Sequence, residues 1–363
     1  MVSRTGSAPS AISPAGCRCH LDWRTIVGIA AENPLCRTRG TGALRPDVNR
    51  TTRSAHPTRF AELNDVLAEL ISRTSDVLGS NFIGAYLQGS FALGAGDEFS
   101  DVDFVVAMQH DVSEIDRSRL DSLHGELHGR PEVWAQHLEG SYAPAECLRR
   151  LSRVPREIPG ACRPPEWVDP QTGAPPNAYP FLFLNNGDHS LVRSEHDNTL
   201  VMRWVLRERG ITLIGPAPRE IIDPVNPEEL REEVRGVMHS FGASLLEGKV
   251  LIDALWLQGF VVLLYCRALF ALATATVPSK PEAIRWAGAN IDSRWQLLIE
   301  RAWSQRCRYP RGKGAPEAHG AMVPDASEVD CTLAFVRYAI DLANRSGRKH
   351  DSRGASWPGR QEV

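Results

Sequence analysis

The stretch LQGSFALGAGDEFSDVDFVV, residues 87–106, places two aspartates one position apart inside an apolar run. Side chains at positions i and i+2 of a β-strand point to the same face, so Asp101 and Asp103 are expected to project together. Their neighbours Val102 and Phe104 then point the other way, into a core. Two adjacent carboxylates repel each other, and burying them without a partner is costly. A divalent cation removes that cost, because Mg²⁺ is usually held by one or two carboxylates, phosphate oxygens and water.

A Gly-Ser pair ends the apolar stretch that precedes this loop. Gly89 lets the backbone approach a ligand closely, and Ser90 supplies a hydroxyl group. If SFAL begins a helix, the backbone N–H groups of the turn suit a polyphosphate. A phosphate seat beside a metal-binding acidic pair is the layout for phosphoryl or nucleotidyl transfer. The structural alternative is that Asp101 caps a turn and Asp103 faces solvent on an edge strand.

Apolar spacing divides the chain into a half of mixed helices and strands and a half of helices alone. Prolines in DPVNPEEL, residues 223–230, mark the boundary between them. The first half predicts helices over 57–79, 114–129 and 199–210, strands over 82–88, 100–108 and 133–142, and a short strand after Gly210. The second half predicts helices over 228–247, 250–275, 281–304 and 327–345, while 155–180 and 310–316 are predicted loops.

The length of 363 residues suggests two domains with unstructured ends. Residues 1–55 lack apolar periodicity, so we expect them to be disordered or a non-native N-terminal extension, and we expect a disordered tail over 346–363. The net charge of −3 offers no basic footprint for nucleic acid. The apolar segment 254–275 is interrupted by Gln258 and Arg267, which favours a buried helix over a membrane span. We expect a monomer with neither nucleic acid nor membrane as a partner.

Eight cysteines are scattered along the chain, which indicates a reducing cytoplasm rather than a disulfide framework. The cluster CRCH at 17–20, together with Cys36, could be a zinc site. Its Cys-x-Cys-His spacing lacks the usual gap of about two to four residues between ligands. No secretory signal is visible, since residues 1–30 lack a basic start followed by an apolar core. We therefore expect a cytoplasmic protein.

A third carboxylate is expected near the acidic pair, because transfer to a hydroxyl group is helped by a base that takes its proton. The candidates near the third predicted strand are Glu132 and Glu139. Glu139 is preferred, because it is expected at the strand end with His137 two residues before it on the same face. We predict that Glu139 is a metal ligand or the base; the alternative is an ordinary surface glutamate.

The Gly-Ser turn followed by Asp-Val-Asp in a strand resembles the polymerase-β-like nucleotidyltransferases. The first strand, the turn and the acidic strand of that superfamily are all present. The resemblance implies an α+β fold, in which a nucleotidyltransferase domain over 57–222 contains a mixed sheet. It also implies two Mg²⁺ ions at the acidic pair and a third carboxylate, with a nucleoside triphosphate beside them.

A closer resemblance is to the aminoglycoside nucleotidyltransferases of the streptomycin/spectinomycin adenylyltransferase type. It covers roughly residues 57–343 and includes GITLIGPAPREIIDPV and VVLLYCRALFALATATVPSKPEAIRWA. The family implies an all-α helical bundle domain over 226–345, with the substrates bound between the two domains. It assigns the catalytic base to Glu139 and nucleotide contacts to Arg267 and Lys280.

Asp253 and Trp256 are the candidates for binding a cationic antibiotic. Asp253 lies fourteen residues before Arg267, so a continuous helix would place the two about 40° apart on one face. A carboxylate there suits an ammonium or guanidinium group. The family holds streptomycin with a pair of acids near the start of this helix, and Leu257 stands where the second is expected. The structural alternatives are a capping Asp253, an Arg267 that snorkels out of the core and a solvated Lys280.

Together these features predict a Mg²⁺-dependent adenylyltransferase that uses ATP, releases pyrophosphate and modifies a hydroxyl group of an aminoglycoside or aminocyclitol antibiotic. Two alternatives remain open: the same chemistry on another small-molecule or protein hydroxyl, or a nucleotide-binding regulator that does not catalyse. The His and Asp residues of NNGDHS, 185–190, and SEHDN, 194–198, could form a hydrolytic dyad. No serine or cysteine elbow accompanies them, and turn chemistry explains them better.

Overall fold

The computed structural model describes residues 56–151, 178–306 and 323–350, with side chains in the last helix as far as residue 345. Several sequence predictions concern segments outside these ranges, so the structure does not test them. They are the N-terminal extension, the candidate zinc cluster, most of the 155–180 loop, the 310–316 loop and the end of the C-terminal tail.

The first domain is built on a mixed sheet of six strands in the order β5-β4-β3-β2-β1-β6. The strands are β1 Phe82–Leu87, β2 Val102–Met108, β3 Leu138–Pro144, β4 Phe181–Leu184, β5 Leu191–Ser194 and β6 Ile211–Ile214. Strands β2 and β3 are parallel, and the other four pairs are antiparallel. The parallel pair at the centre brings the starts of β2 and β3 to the same edge of the sheet.

In the described part of this domain, six helices accompany the sheet: α1 Ala61–Leu78, α2 Gly89–Ala92, α3 Glu114–His128, α4 Ala145–Arg149, α5 Leu200–Arg209 and α6 Pro218–Ile221. The alternation of β2 predicts two faces, and both are buried. Val102 and Phe104 point into a core shared with α1 and α3, as predicted. Val105 points the opposite way, into a second core shared with α5. Asp103 therefore shares the face of Val105, at the end of the strand where α5 begins.

The second domain is a helical bundle, whose described residues form five helices: α7 Pro227–Leu246, α8 Leu255–Thr274, α9 Lys280–Asn290, α10 Gln296–Arg306 and α11 Ala326–His350. Helix α8 forms its centre and packs against the other four. By length and composition α8 could cross a membrane, but 72% of its most apolar window is buried within the protein. It is therefore the buried core helix that the sequence predicts, and the α+β architecture with a C-terminal helical domain is confirmed.

Some predicted elements are wrong. Val133–Gln136 forms a 3₁₀ turn rather than the start of a strand, because Trp134 packs on Phe60 with ring centroids 5.0 Å apart. The predicted helix over 281–304 breaks at Ile291, whose backbone is extended, and a 3₁₀ turn at Ser293–Trp295 precedes α10. The hairpin of β4 and β5 was not predicted. Helix α11 continues to His350, beyond the predicted start of the disordered tail.

The predicted helix over 250–275 begins only at Leu255, because Ala254 has extended backbone angles. Asp253 therefore lies in the loop before α8. The argument that Asp253 and Arg267 share a helical face does not hold, since that face requires a continuous helix.

Helix α5 joins the two domains, because its two sides belong to different cores. Met202 and Leu206 pack into the core on the sheet, while Val205 belongs to the core of the bundle. The buried Glu233 of α7 strengthens this joint. Its carboxylate accepts the backbone N–H groups of Leu200, at 2.8 Å, and Val201, at 3.0 Å. These groups begin α5 and have no partner within the helix, so an anion is favourable there.

Replacing the Glu233 side chain by an apolar one tests this joint. We expect Glu233→Leu to lower the free energy of unfolding by about 1 to 2 kcal/mol, the usual cost of losing a helix N-terminal cap. Urea denaturation followed by circular dichroism measures the change. The exposed neighbour Glu232 provides the matched control. If Glu232→Leu and Glu233→Leu lowered stability equally, the assigned role would be wrong.

Candidate active site

The parallel pairing of β2 and β3 sets Asp103 directly beside Glu139, in the register Asp103↔Glu139. Both side chains therefore leave the same face of the sheet at the same edge. Glu139 is the second residue of β3, so it lies near the start of its strand rather than at the predicted end. The predicted pairing of an Asp-x-Asp strand with a third carboxylate on the next strand is nevertheless present.

The Gly-Ser turn lies against the carboxylate of Asp103. Gly89 has φ +59°, and a Cβ atom at this position would lie 1.9 Å from Asp103 Oδ2. The turn is tied to β2 by the Gln88 N–H, which donates to the Asp103 carbonyl oxygen at 2.9 Å. Ser90 Oγ is buried and finds no hydrogen-bond partner among the described residues. A buried hydroxyl without a partner is costly, so Ser90 is suited to contact a ligand.

Asp101 is held from the β4–β5 turn. Asn186 Nδ2 donates to Asp101 Oδ1 at 2.7 Å. The other end of the same amide is fixed by the ring of His137, since Asn186 Oδ1 lies 3.0 Å from His137 Nδ1. His137 thus orients Asn186, the partner of Asp101. The sequence predicted His137 on the same strand face as Glu139, but His137 lies just before β3.

Glu139 is held by the segment between β5 and α5. His196 Nε2 lies 3.5 Å from Glu139 Oε1. The ring of His196 stacks on Phe183 of β4, with centroids 4.7 Å apart and an interplanar angle of 24°. The next residue, Asp197, accepts a hydrogen bond of 2.7 Å from Ser141 Oγ, two positions after Glu139 on the same face of β3.

The electrostatics of the site favour a cation. Burial and the negative charges of Glu139, Asp101 and Asp197 raise the pKa of Asp103 well above its usual range, while Lys280 opposes that rise. The pKa of Glu139 is raised mainly by burial and lowered in part by His196. Like charges gathered at one place disfavour the ionised forms, and a bound cation would reverse this.

Two cationic side chains come from the helical domain. Lys280 begins α9 after the capping box of Ser279 and Glu282, so its position is fixed by the start of that helix. Arg267 lies on α8, and its Nε donates to the carbonyl oxygen of Pro278 at 3.2 Å. Burial lowers the pKa of Arg267, and the negative charge of Asp103 opposes that shift. Both predicted basic residues are thus close enough to interact with Asp103.

The donor set fits Mg²⁺ on its chemistry. Within the described residues, no group of three or more His, Cys, Asp or Glu side chains is arranged to hold a metal ion. Mg²⁺ does not need such a group, because it keeps water and substrate phosphate oxygens among its ligands. Asp101 and Asp103 provide oxygen ligands, and the raised pKa of Asp103 indicates a carboxylate without enough positive charge around it.

The predicted acceptor residues lie at the start of α8 and are open to solvent. Trp256 exposes 39% of its surface, and Phe260, one turn later, exposes 38%. Asp253 is exposed in the loop before them, whereas Leu257 is buried in the bundle core. The other candidate base, Glu132, is not in the site. It pairs with Arg130 at 2.7 Å, and this partner lowers the pKa of Glu132 to about 2.

Sequence reasoning missed four residues of the site: Ser141, Asn186, His196 and Asp197. The last three lie in the two His- and Asp-containing segments, which the sequence pattern explained as turns. A signal was present, because FLFL and LVRS flank NNGDHS as short apolar strands around a turn. That hairpin would have brought Asn186 and His196 to the sheet edge.

The fold and the site define a nucleotidyltransferase of the α+β type, and comparison with known proteins agrees. The family model "Nucleotidyltransferase domain" matches residues 71–135, and "Aminoglycoside adenylyltransferase, C-terminal domain" matches residues 220–319. Over these residues the chain is similar to the aminoglycoside adenylyltransferases, and the two matches together identify an adenylyltransferase enzyme.

Two known proteins are similar to most of this chain. Spectinomycin 9-adenylyltransferase of Campylobacter jejuni is 21% identical over 240 residues, which are 64% of this chain and 81% of that protein. The crystal structure of the spectinomycin adenyltransferase AAD(9) from Enterococcus faecialis, with ATP and spectinomycin, superposes with a TM-score of 0.50 at 12% identity. The match covers 76% of this chain and 98% of that one.

The close approach of Gly89 to Asp103 generates a prediction. Gly89→Ala should lower the rate of adenylyl transfer by about a hundredfold, because the added methyl group displaces the Asp103 carboxylate. Gly94→Ala is the control, since Gly94 has φ +70° in the same loop but open space where its Cβ would lie. Both variants suffer the same kind of backbone strain, so an equal loss of activity would show that strain, rather than displacement of Asp103, is responsible.

Proposed function

We propose that this protein transfers AMP from Mg-ATP to a hydroxyl group of an aminocyclitol antibiotic of the spectinomycin type and releases pyrophosphate. The observation that carries the proposal is the register of β2 and β3, which sets Asp103 beside Glu139 against the Gly-Ser turn. Lys280 and Arg267 face this group from the second domain. The relatives named for spectinomycin adenylylation support the choice of acceptor.

The nucleotide is bound between the two domains. Ser90 donates its unsatisfied hydroxyl to a phosphate oxygen, and Gly89 lets the backbone approach the phosphates. Lys280 and Arg267 neutralise the charge that develops on the leaving pyrophosphate. Charges interact more strongly where water is excluded. Arg267 lies in such a place, because burial lowers the pKa of its guanidinium group.

Asp101 and Asp103 would hold the magnesium, which leaves Glu139 for the acceptor hydroxyl. A metal bound there would supply positive charge that stabilises the phosphoryl group during transfer. Asn186 keeps Asp101 in place for this role through its 2.7 Å hydrogen bond.

Glu139 acts as the general base. Its carboxylate takes the proton of the acceptor hydroxyl as that oxygen bonds to the α-phosphorus of ATP. The bond from the α-phosphorus to the bridging oxygen breaks, and the electron pair leaves with pyrophosphate. Burial raises the pKa of Glu139, which makes it a stronger base than an exposed glutamate.

The acceptor is bound at the start of α8. Trp256 and Phe260 provide two exposed aromatic faces, and Asp253 provides one carboxylate for an ammonium group. Leu257 is buried and cannot supply a second acid. A single carboxylate beside apolar rings suits a compact aminocyclitol better than the two guanidinium groups of streptomycin.

Pyrophosphate release from Mg-ATP, measured with spectinomycin, streptomycin and unrelated acceptors, tests the proposal. We expect turnover with spectinomycin and little with streptomycin. Expression of the protein in a spectinomycin-susceptible bacterium should also raise the resistance of that bacterium to spectinomycin. Turnover with another hydroxyl compound alone would identify a different acceptor, and binding of ATP without any turnover would favour the regulator.

Trp256 generates a test of the acceptor site. We expect Trp256→Ala to raise the KM for spectinomycin about tenfold and to leave the KM for ATP unchanged. A tenfold change corresponds to the free energy of about one lost aromatic contact. Leu297→Ala is the control, because Leu297 is a more exposed apolar residue elsewhere on the bundle, with 59% of its surface exposed. A rise in the KM for ATP in Trp256→Ala would place Trp256 in the nucleotide site instead.

Asp103 generates a test with opposite effects on function and stability. We expect Asp103→Asn to abolish turnover and also to raise the urea midpoint in buffer that contains EDTA. The neutral amide removes both the burial of a charge and the repulsion from Glu139, Asp101 and Asp197, which together raise the pKa of Asp103. The exposed Asp76 on α1 offers the control Asp76→Asn, which should change neither property. Near wild-type turnover of Asp103→Asn would refute the proposed metal role.

A further inference from the structure

The segment 195–198 carries a role that neither the family comparison nor the proposed mechanism assigns. We infer that His196 is a positioning residue, which holds the Glu139 carboxylate in the orientation that receives the proton of the acceptor hydroxyl. The inference rests on the proposed function of Glu139 as the base. It is carried by the way in which the structure immobilises His196 and the strand beside it.

Three side chains of this segment are attached to neighbouring parts of the first domain. Glu195 accepts the backbone N–H of Ala178. Asp197 accepts the hydroxyl of Ser141 at 2.7 Å, and Asn198 Nδ2 donates to the carbonyl oxygen of Tyr179 at 2.8 Å. The backbone is therefore fixed on both sides of His196, which defines the position from which its side chain extends.

Two further contacts fix the position of the ring itself. The backbone N–H of His196 donates to Ser194 Oγ at 3.0 Å. The imidazole then stacks on Phe183 at 4.7 Å and 24°, so one of its faces is covered. This leaves the ring edge directed at Glu139, where Nε2 lies 3.5 Å from Oε1.

The base needs such a partner because of its neighbours. Glu139 lies among Asp101, Asp103 and Asp197, and a flexible carboxylate would turn away from like charges. Nε2 holds Oε1 in place, so we assign Oε2 to the acceptor hydroxyl. The Asp197–Ser141 hydrogen bond fixes β3 two residues further along the same face, which keeps the backbone of Glu139 at a constant distance from His196.

The variant His196→Phe tests the inference, because it retains the stacked ring and removes the nitrogen atom. We expect kcat to fall by between about tenfold and a hundredfold, while the KM for ATP changes less than about twofold. His189→Phe is the matched control, since His189 is an exposed histidine in the same hairpin. An unchanged kcat, or a rise in the KM for ATP as large as the fall in kcat, would overturn the inference.

A double variant separates positioning from a general loss of structure. If His196 acts through Glu139, its replacement should add nothing once the base is gone. We expect Glu139→Gln and the double variant Glu139→Gln/His196→Phe to transfer AMP at the same slow rate in single-turnover assays with labelled ATP. A further tenfold fall in the double variant would show that His196 acts independently of Glu139.

The contact can also be measured without any acceptor, which keeps this inference distinguishable from the proposed function. Urea midpoints of the wild type, the two single variants and the double variant form a cycle. We expect the shift of the double variant to differ from the sum of the single shifts, because the two side chains interact. Additive shifts would overturn the inference, whichever acceptor the enzyme uses. Lack of turnover by the wild type with spectinomycin would instead contradict the proposed acceptor.

Discussion

The repulsion among carboxylates at one edge of the sheet is the constraint on which the rest of the site depends. Asp101, Asp103, Glu139 and Asp197 are gathered where β2 and β3 begin, and burial together with their mutual repulsion raises the pKa of Asp103 and of Glu139. Such an arrangement lowers stability unless it binds a cation. The surrounding structure therefore holds together acidic groups that would otherwise separate. Their repulsion lowers the stability of the fold, and catalysis requires this arrangement.

The two domains contribute opposite charges to this site. The first supplies the carboxylates and the Gly-Ser turn, and the second supplies Lys280 and Arg267. Helix α5 keeps the two sets at a fixed separation, because it belongs to both cores and its start is held by Glu233. The loop just before α5 carries His196, so the joint between the domains and the orientation of the base share one short segment.

The local part of this arrangement was predictable from sequence, and the long-range part was not. Gly89, Ser90, Asp101 and Asp103 lie within fifteen residues, so strand alternation and turn chemistry were enough to find them. Glu139 was preferred from its place on the third predicted strand, and the resemblance to a known family then assigned it as the base. Asn186 and His196 depend on a hairpin that pairs with β3 across a long insertion, and no local pattern encodes that pairing. The sequence placed Asp253 within the helix rather than in the loop before it, because apolar periodicity locates helix ends poorly.

The most direct test of the central claim is the thermal stability of the wild type with a non-hydrolysable ATP analogue, titrated with and without Mg²⁺. If the carboxylate edge is a cation and triphosphate site, the two ligands together should raise the melting temperature by more than the sum of their separate effects, because each neutralises the other at the site. Equal stabilisation by the analogue in EDTA and in Mg²⁺ would contradict the account.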